Sequence, residues 1–236
     1  MRRAGQVVRE VLELVRGLVK PGVSTLDLEK AAEARTRELG AKAAFKGYHG
    51  FPCVLCTSVN SEVVHGIPSA KRILKEGEIV SVDFGAFVDG YCGDAAITVP
   101  VGKIDPEAAR LLQVTEASLE AAIAAVKPGA TLGDVGFAVQ KVVEAAGFSV
   151  VRDFVGHGIG AHMHEEPQVP NFGIAGRGMK LRAGMVIAIE PMVNAGKHEV
   201  VVLEDGWTAV AADGSMSAHF EHTVAVTATG ARILTE

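Results

Sequence analysis

The sequence predicts an α+β fold built from two related halves, with antiparallel sheets and flanking helices around a central cleft. Three observations carry that prediction. Residues 79–98 read as two strands joined by an Asp-Gly turn. Amphipathic helical spacing precedes the sheet-forming stretch. Several short segments then recur at a constant offset of 107 residues, which is one duplication rather than a solenoid, since a solenoid needs more copies.

Taken in order, residues 6–19 place Val7, Val11, Leu14, Val15 and Leu18 at helical spacing, and Lys20-Pro21-Gly22 stops that helix. Ser24 and Thr25 offer N-caps for a second helix that runs to about Leu39, before Gly40. Residues 45–66 are loop and strand rich in glycine and aromatics. The hairpin follows. Asp89-Gly90 is the pair that a type I′ turn favours, because both central residues need positive φ. Val88 then flanks the turn with Tyr91, Phe87 faces Cys92, and Gly85 faces Asp94. Side chains of period two share a face, so Asp83 and Asp94 are diagonal neighbours on one side. Carboxylates that close resist joint ionisation unless a cation sits between them. Solvated acids on an exposed hairpin face are the plain alternative.

The same programme repeats in the second half. Val19-Lys20-Pro21-Gly22 recurs as Val126-Lys127-Pro128-Gly129, and Thr131-Leu132 leads a helix to about Ala146-Gly147. Leu74-Lys75-Glu76-Gly77 before the strand Ile79–Asp83 matches Leu181-Arg182-Ala183-Gly184 before Val186–Glu190. Asp83 thus corresponds to Glu190, an acid at the end of an apolar strand in both halves. Tyr48-His49-Gly50 and Gly156-His157-Gly158 are near-equivalent, shifted by one residue. Without a linker at Val101–Pro106, the halves (about 1–105 and 106–236) should form a single domain over 1–236, packed face to face.

Composition narrows the function classes. Apolar residues make up 48% of the 236, ample for a core. A net charge of −5 without a run of more than two basic residues argues against nucleic-acid binding. No apolar stretch reaches the ~18 residues that span a membrane, and Arg9, Glu10 and Glu13 break any signal-peptide core. Three cysteines make no disulfide framework, so a reducing cytoplasm is expected. Cys53-x-x-Cys56 has no second pair for a zinc site; a redox role is the minor reading.

Three further places carry candidate chemistry. Val155–Pro167 holds His157, His162 and His164 among glycines, as an irregular backbone presenting imidazoles or as a plain surface loop. It is not a His-Glu-x-x-His helix, because position 168 is Gln and Pro167 interrupts. Ile187-Ala188-Ile189-Glu190 closes a buried strand with an acid, which must be paired, protonated or bound to metal. Glu221 opens another strand; singly, either acid reads as structural. As a set, Asp83, Asp94, Glu190, Glu221 and one histidine suit a pair of divalent first-row ions. Such ions sit about 3.5–4 Å apart and hold a bridging water as the nucleophile. The absence of thiolates argues against a closed structural zinc site.

These motifs resemble one family. Asp83 with Asp94, Gly156-His157-Gly158-Ile159-Gly160, His164-Glu165-Glu166-Pro167, Ile189-Glu190-Pro191-Met192 and Phe220-Glu221-His222-Thr223 look like methionine aminopeptidase over nearly the entire chain. The short stretch between His164 and Glu190 resembles the type I, bacterial form. The resemblance implies a pita-bread fold and excision of the initiator methionine from nascent chains when the second residue is small. It implies that a water or hydroxide bridging two metal ions attacks the scissile peptide. By motif, Asp83 would chelate one metal, Asp94 and Glu221 would bridge both, and His157 and Glu190 would complete the second. Glu190 would also move a proton, His65 would contact the peptide near the scissile bond, and His164 would stabilise the carbonyl or its oxyanion. The methionine pocket would be lined by Tyr48, Phe51, Cys56, Met163 and Trp207, with Phe45 nearby. The divalent ions would be Co, Mn, Fe or Zn, and a monovalent cation would fall near Asn60, Glu62 and Ser217. The resemblance further implies a cytoplasmic monomer that associates transiently with the ribosome.

Departures from the family pattern are Gly85 where many members carry Thr, Met163 in place of a pocket aromatic, and His219 in place of Gln. Two other readings use the same residues. A proline-directed peptidase shares the ligand set but usually carries an extra N-terminal domain. A metal-free binding protein on this fold typically lacks ligands, whereas all five are present here.

Overall fold

The computed structural model describes residues 1–236. The first half comprises α1 (Arg2–Leu18), α2 (Thr25–Glu38), β1 (Lys42–Ala43), β2 (Cys56–Val59), β3 (Glu62–Val64), β4 (Ile79–Val88) and β5 (Tyr91–Pro100). The second comprises α3 (Pro106–Ala125), α4 (Leu132–Ala145), β6 (Ser149–Val150), β7 (Gly156–Gly158), β8 (Glu165–Val169) and β9 (Val186–Ile189). It continues through β10 (Met192–Asn194), β11 (Val200–Val202), β12 (Ala209–Ala211), β13 (Ser217–His219), β14 (Glu221–Val226) and β15 (Ala231–Ile233).

The predicted helices form, with shifted ends. α1 begins at Arg2 rather than residue 6, because Ala4 and Gly5 are buried with Val8, Val11, Leu12 and Val15. Leu14 and Leu18 face outward despite their helical spacing. Both second helices start from the same device. Asp27 N–H donates to Ser24 Oγ at 3.2 Å while Ser24 N–H donates back to Asp27. Asp134 and Thr131 repeat this capping box.

The 107-residue repeat extends to individual backbone hydrogen bonds. Gly22 N–H donates to Leu74 O at 2.8 Å, and Gly129 N–H to Leu181 O at 2.9 Å. The ends of β5 and β14 bond likewise, Val101 N–H to Glu78 O and Val226 N–H to Met185 O, both at 2.8 Å, although there only the acceptors keep the offset. The hairpin has the predicted register: Val88 pairs with Tyr91, Phe87 with Cys92 and Gly85 with Asp94. Asp89 and Gly90 take φ of 51° and 80°, as a type I′ turn requires.

Where the sequence suggested halves packed face to face, they meet edge to edge. β14 pairs antiparallel with β5, Glu221 opposite Ala96, so one nine-stranded sheet runs β1-β4-β5-β14-β9-β7-β8, with β2 also paired to β4 and β15 to β14. Pairing the two hairpin edges satisfies backbone groups that each half alone would leave open. Two small three-stranded sheets, β13-β10-β6 and β11-β12-β3, complete the structure.

Strand alternation then separates core from site. Val80, Val82 and Phe84 of β4 pack with Val8, Val11 and Leu28 under α1 and α2. Ile187, Ile189 and Val224 pack with Leu111, Leu119 and Val139 under α3 and α4. The intervening residues point to the opposite face, and these include Asp83, Asp94, Glu190 and Glu221.

Candidate active site

Four strands place the acids in a row. Asp83 on β4 is directly opposite Ala96 on β5, and Ala96 is opposite Glu221 on β14. His222 pairs with Ile189, so Glu190, one residue beyond β9, falls level with Glu221. Asp94 lies two residues along β5 from Ala96, on the same face. Small Ala96 leaves the room between the acids open.

His157 joins them from β7. The sequence suggested irregular backbone here, but Gly156–Gly158 is a strand between β8 and β9. A Cβ on Gly156 would collide with Ala188 O, and one on Gly158 with Glu166 O. Glycine on both sides of His157 therefore permits the close strand approach. His157 Nδ1 meets Gly158 O at 2.9 Å, which leaves Nε2 turned to the acids, 3.5 Å from Glu190. Donor atoms of Asp94, His157 and Glu221 all lie within 4.8 Å of one another.

The electrostatics leave the acids either protonated or bound to a cation. Asp94 and Glu221 are buried, and Asp83 Oδ1, Asp94 Oδ1 and Glu221 Oε1 have no hydrogen-bond partner. Burial pushes the Asp83 carboxyl up to about 7. Burial, then the neighbouring acids, pushes Asp94, Glu190 and Glu221 well above the carboxylate range. Burial also holds His157 down at about 4, so it is a neutral ligand near neutral pH. No Lys or Arg lines the cavity to offset these charges. An oxygen-rich donor set with orphaned buried lone pairs and one neutral imidazole fits divalent ions.

All twelve residues expected as metal, catalytic or pocket groups surround one cavity of about 270 Å³, together with Phe45 and His49. Its apolar wall holds Phe45, Phe51, Cys56 and Met163, with Tyr48 and Trp207 against them. Phe51 and Trp207 meet edge to face, centroids 5.2 Å apart. His65 takes φ of 61° and meets Phe154 edge to face, centroids 5.4 Å apart. His164 meets His157 edge to face, centroids 4.3 Å apart, and its Nδ1 lies 2.8 Å from the Tyr48 hydroxyl. A second cavity of about 550 Å³ shares His65, Asp83, His157, His164 and Glu190. It adds Asp153, Phe154, Glu165 and Glu166, so the reacting groups lie where an apolar pocket meets an acidic channel.

The Gly85 departure has a steric reason: a Cβ there would lie 2.8 Å from Phe45 Cε1 and 3.1 Å from Asp94 Oδ1. The Phe45 ring occupies the space of the absent side chain. His219 is fully buried on β13 at the wall of the second cavity, and its Nε2 has no partner. At the expected monovalent site, Ser217 N–H donates to Asn60 O at 2.8 Å, while Glu62 accepts from Val59 N–H.

Sequence reasoning missed several supporting residues. Thr223 Oγ1 accepts from Asp94 N–H at 3.0 Å and donates to Asp94 O at 2.7 Å, fixing that ligand's backbone. Asn171 Nδ2 donates to Glu190 O at 3.0 Å. Thr223 stood inside a quoted motif; Asn171 and Phe154 carried no local signal. His49, near-equivalent to His157 in the repeat, instead sits at φ of 48° in the 3₁₀ turn Tyr48–Gly50 on the cavity wall.

Residues 1–228 match metallopeptidase family M24, and the chain belongs to that family. Within it, the full length of the chain is similar to methionine aminopeptidases. Methionine aminopeptidase A of Synechocystis sp. is 52% identical, the match covering 100% of this chain and 93% of the relative. Methionine aminopeptidase 1 of Bacillus subtilis is 50% identical, with 100% and 94% covered. The crystal structure of methionine aminopeptidase from Thermotoga maritima superposes with a TM-score of 0.99 at 51% identity, covering 100% of this chain and 95% of that one. The prolidase from Pyrococcus furiosus, 22% identical with a TM-score of 0.79, shares the fold; 62% of its chain is covered. The fold is therefore the pita-bread fold of that family, as the motifs implied.

Proposed function

We propose that this chain is a dinuclear metal aminopeptidase that removes N-terminal methionine from nascent peptides whose second residue is small. One observation carries the reading: four clustered carboxylates and a neutral imidazole, uncompensated by any protein cation, border an apolar cavity of about 270 Å³. The match to methionine aminopeptidases over the full chain supports it.

Asp83 would hold one ion, Asp94 and Glu221 both, and His157 with Glu190 the second. When bound, the ions supply Lewis-acid polarisation and lower the pKa of a water toward neutrality. Glu190 carries a proton from the attacking water to the departing amine. Its position supports this, because its carboxylate lines the cavity 3.5 Å from His157 Nε2. His164 donates a hydrogen bond to the scissile carbonyl as charge develops on its oxygen. His65, held between Phe154 and Trp207 at the junction of the two cavities, contacts the peptide beside the scissile bond. Tyr48, Phe51, Cys56, Met163 and Trp207 enclose the methionine side chain and exclude water.

Residues 1–236 act as a single catalytic domain, as a monomer in the cytoplasm with transient ribosome contact. All three cysteines are free, which supports that setting; no helix is long and apolar enough to cross a membrane. Mn, Fe, Co and Zn each suit the donor set, and main-chain oxygens near Asn60, Glu62 and Ser217 take a monovalent cation.

The test is hydrolysis of Met-Ala-Ser by metal-stripped protein titrated with each metal in turn, beside an X-Pro peptide. Metal-dependent methionine release is expected. Preferential X-Pro cleavage would establish the proline-directed reading, and fewer than one bound ion with no turnover the binding-protein one.

A further inference from the structure

Tyr48 contributes its ring to the apolar cavity, but its hydroxyl is directed elsewhere. The hydroxyl lies 2.8 Å from His164 Nδ1, the rings meeting edge to face with centroids 5.2 Å apart. We infer that Tyr48 is a positioning residue: its hydroxyl holds His164 in the tautomer that presents Nε2–H to the substrate carbonyl. This rests on the carbonyl role proposed above for His164.

The inference follows from proton counting. A phenol carries one proton, and His164 Nδ1 is the one protein acceptor paired with it. If Nδ1 accepts, the imidazole's own proton must sit on Nε2, the nitrogen that no protein group engages. The reverse arrangement, with Nδ1–H donating to the phenol, leaves the phenol proton without a protein acceptor. It also turns a lone pair on Nε2 toward the carbonyl oxygen, where two acceptors would oppose each other.

Both partners are held in place. Tyr48 N–H donates to Phe45 O and Phe51 N–H to Tyr48 O, each at 2.9 Å, in a 3₁₀ turn entered through Gly47 at φ of 87°. On its other side, His164 meets the His157 ring at 4.3 Å. The imidazole is clamped between a phenol and a ligand. Without the hydroxyl, nothing selects one tautomer.

Tyr48→Phe keeps the pocket wall and removes only the hydroxyl. In metal-loaded enzyme acting on Met-Ala-Ser, kcat should fall roughly tenfold while KM stays within about twofold. Tyr48→Ala should also raise KM, since the wall is then lost. In a His164→Ala background, Tyr48→Phe should change kcat no further. Spectra of zinc-loaded protein with nitrogen-labelled histidine should show His164 protonated at Nε2, and a mixture of tautomers in Tyr48→Phe. Wild-type kcat in Tyr48→Phe, effects of the two substitutions that multiply, or a wild-type His164 protonated at Nδ1 would each overturn the inference. Absence of methionine release by the wild type would instead refute the proposed function, and the spectra would still decide the tautomer.

Discussion

At the residue scale, each acid of the site is a liability that a cation would resolve. Asp94 Oδ1 accepts no hydrogen bond, and burial with Asp83 and Glu190 beside it raises its carboxyl far above the ordinary range. Asp94→Ala should therefore abolish Met-Ala-Ser turnover while circular dichroism and metal-free unfolding stay native-like; substantial turnover would sink its assignment as a bridging ligand. Gly85 is a second residue-scale case. The sequence exposed it as a departure, but only the Phe45 ring explains it. Gly85→Thr should destabilise the protein by about 1–3 kcal/mol through overpacking, and Phe45→Ala should restore most of that loss in denaturant unfolding. Equal destabilisation in both backgrounds would rule out the clash.

Among the elements, legibility followed how local the determining physics was. The β4–β5 hairpin was readable to the residue because Asp89-Gly90 fixes the turn and alternation fixes the faces. β7 was not. Its three residues have no strand composition, and they form a strand because β8 and β9 flank them. Gly156→Ala or Gly158→Ala should push β7 away from a neighbour and lower divalent-metal affinity at least about tenfold, measured by calorimetry; native affinity in both would show that the close approach is dispensable. Glu29 of α2 was equally silent in sequence. Its buried carboxylate accepts Val54 N–H at 2.8 Å and Leu55 N–H at 2.9 Å, holding the segment between Phe51 and Cys56 of the pocket. Glu29→Ala orphans two buried donors, so a loss of about 2–4 kcal/mol and a raised KM are expected together.

On the scale of the whole molecule, the site ties stability to metal and pH. Asp83, pushed up to about 7, and the other three acids, also raised by burial and one another, keep protons in the folded metal-free protein that the unfolded chain releases. Stability therefore falls as pH rises out of the ordinary carboxylate range through about 7. His157 and His219, held at about 4 and about 3 by burial, oppose this below their ordinary 6.5. There the unfolded chain takes up protons that the folded one refuses. Above 6.5 the carboxylates act alone. The Tm of metal-free protein should thus decline between 6.5 and about pH 8, and saturating divalent ion should remove the decline. A flat or rising metal-free Tm would show that the acids do not resist ionisation. The metal-loaded chain should unfold in one cooperative calorimetric transition, because β5·β14 joins the halves and the ligands come from both.

The sequence by itself determined the duplication, the hairpin with its paired aspartates, the starts of α2 and α4, and the full set of candidate ligands. Each of these is written in local spacing, turn chemistry or a motif. Tertiary structure alone decided that the halves join edge to edge, that Ala96 separates Asp83 from Glu221, and that the Tyr48 hydroxyl reaches His164. Those relations depend on residues far apart in the chain. Such pairs are set by strand pairing and side-chain packing, which leave no periodic trace in the sequence.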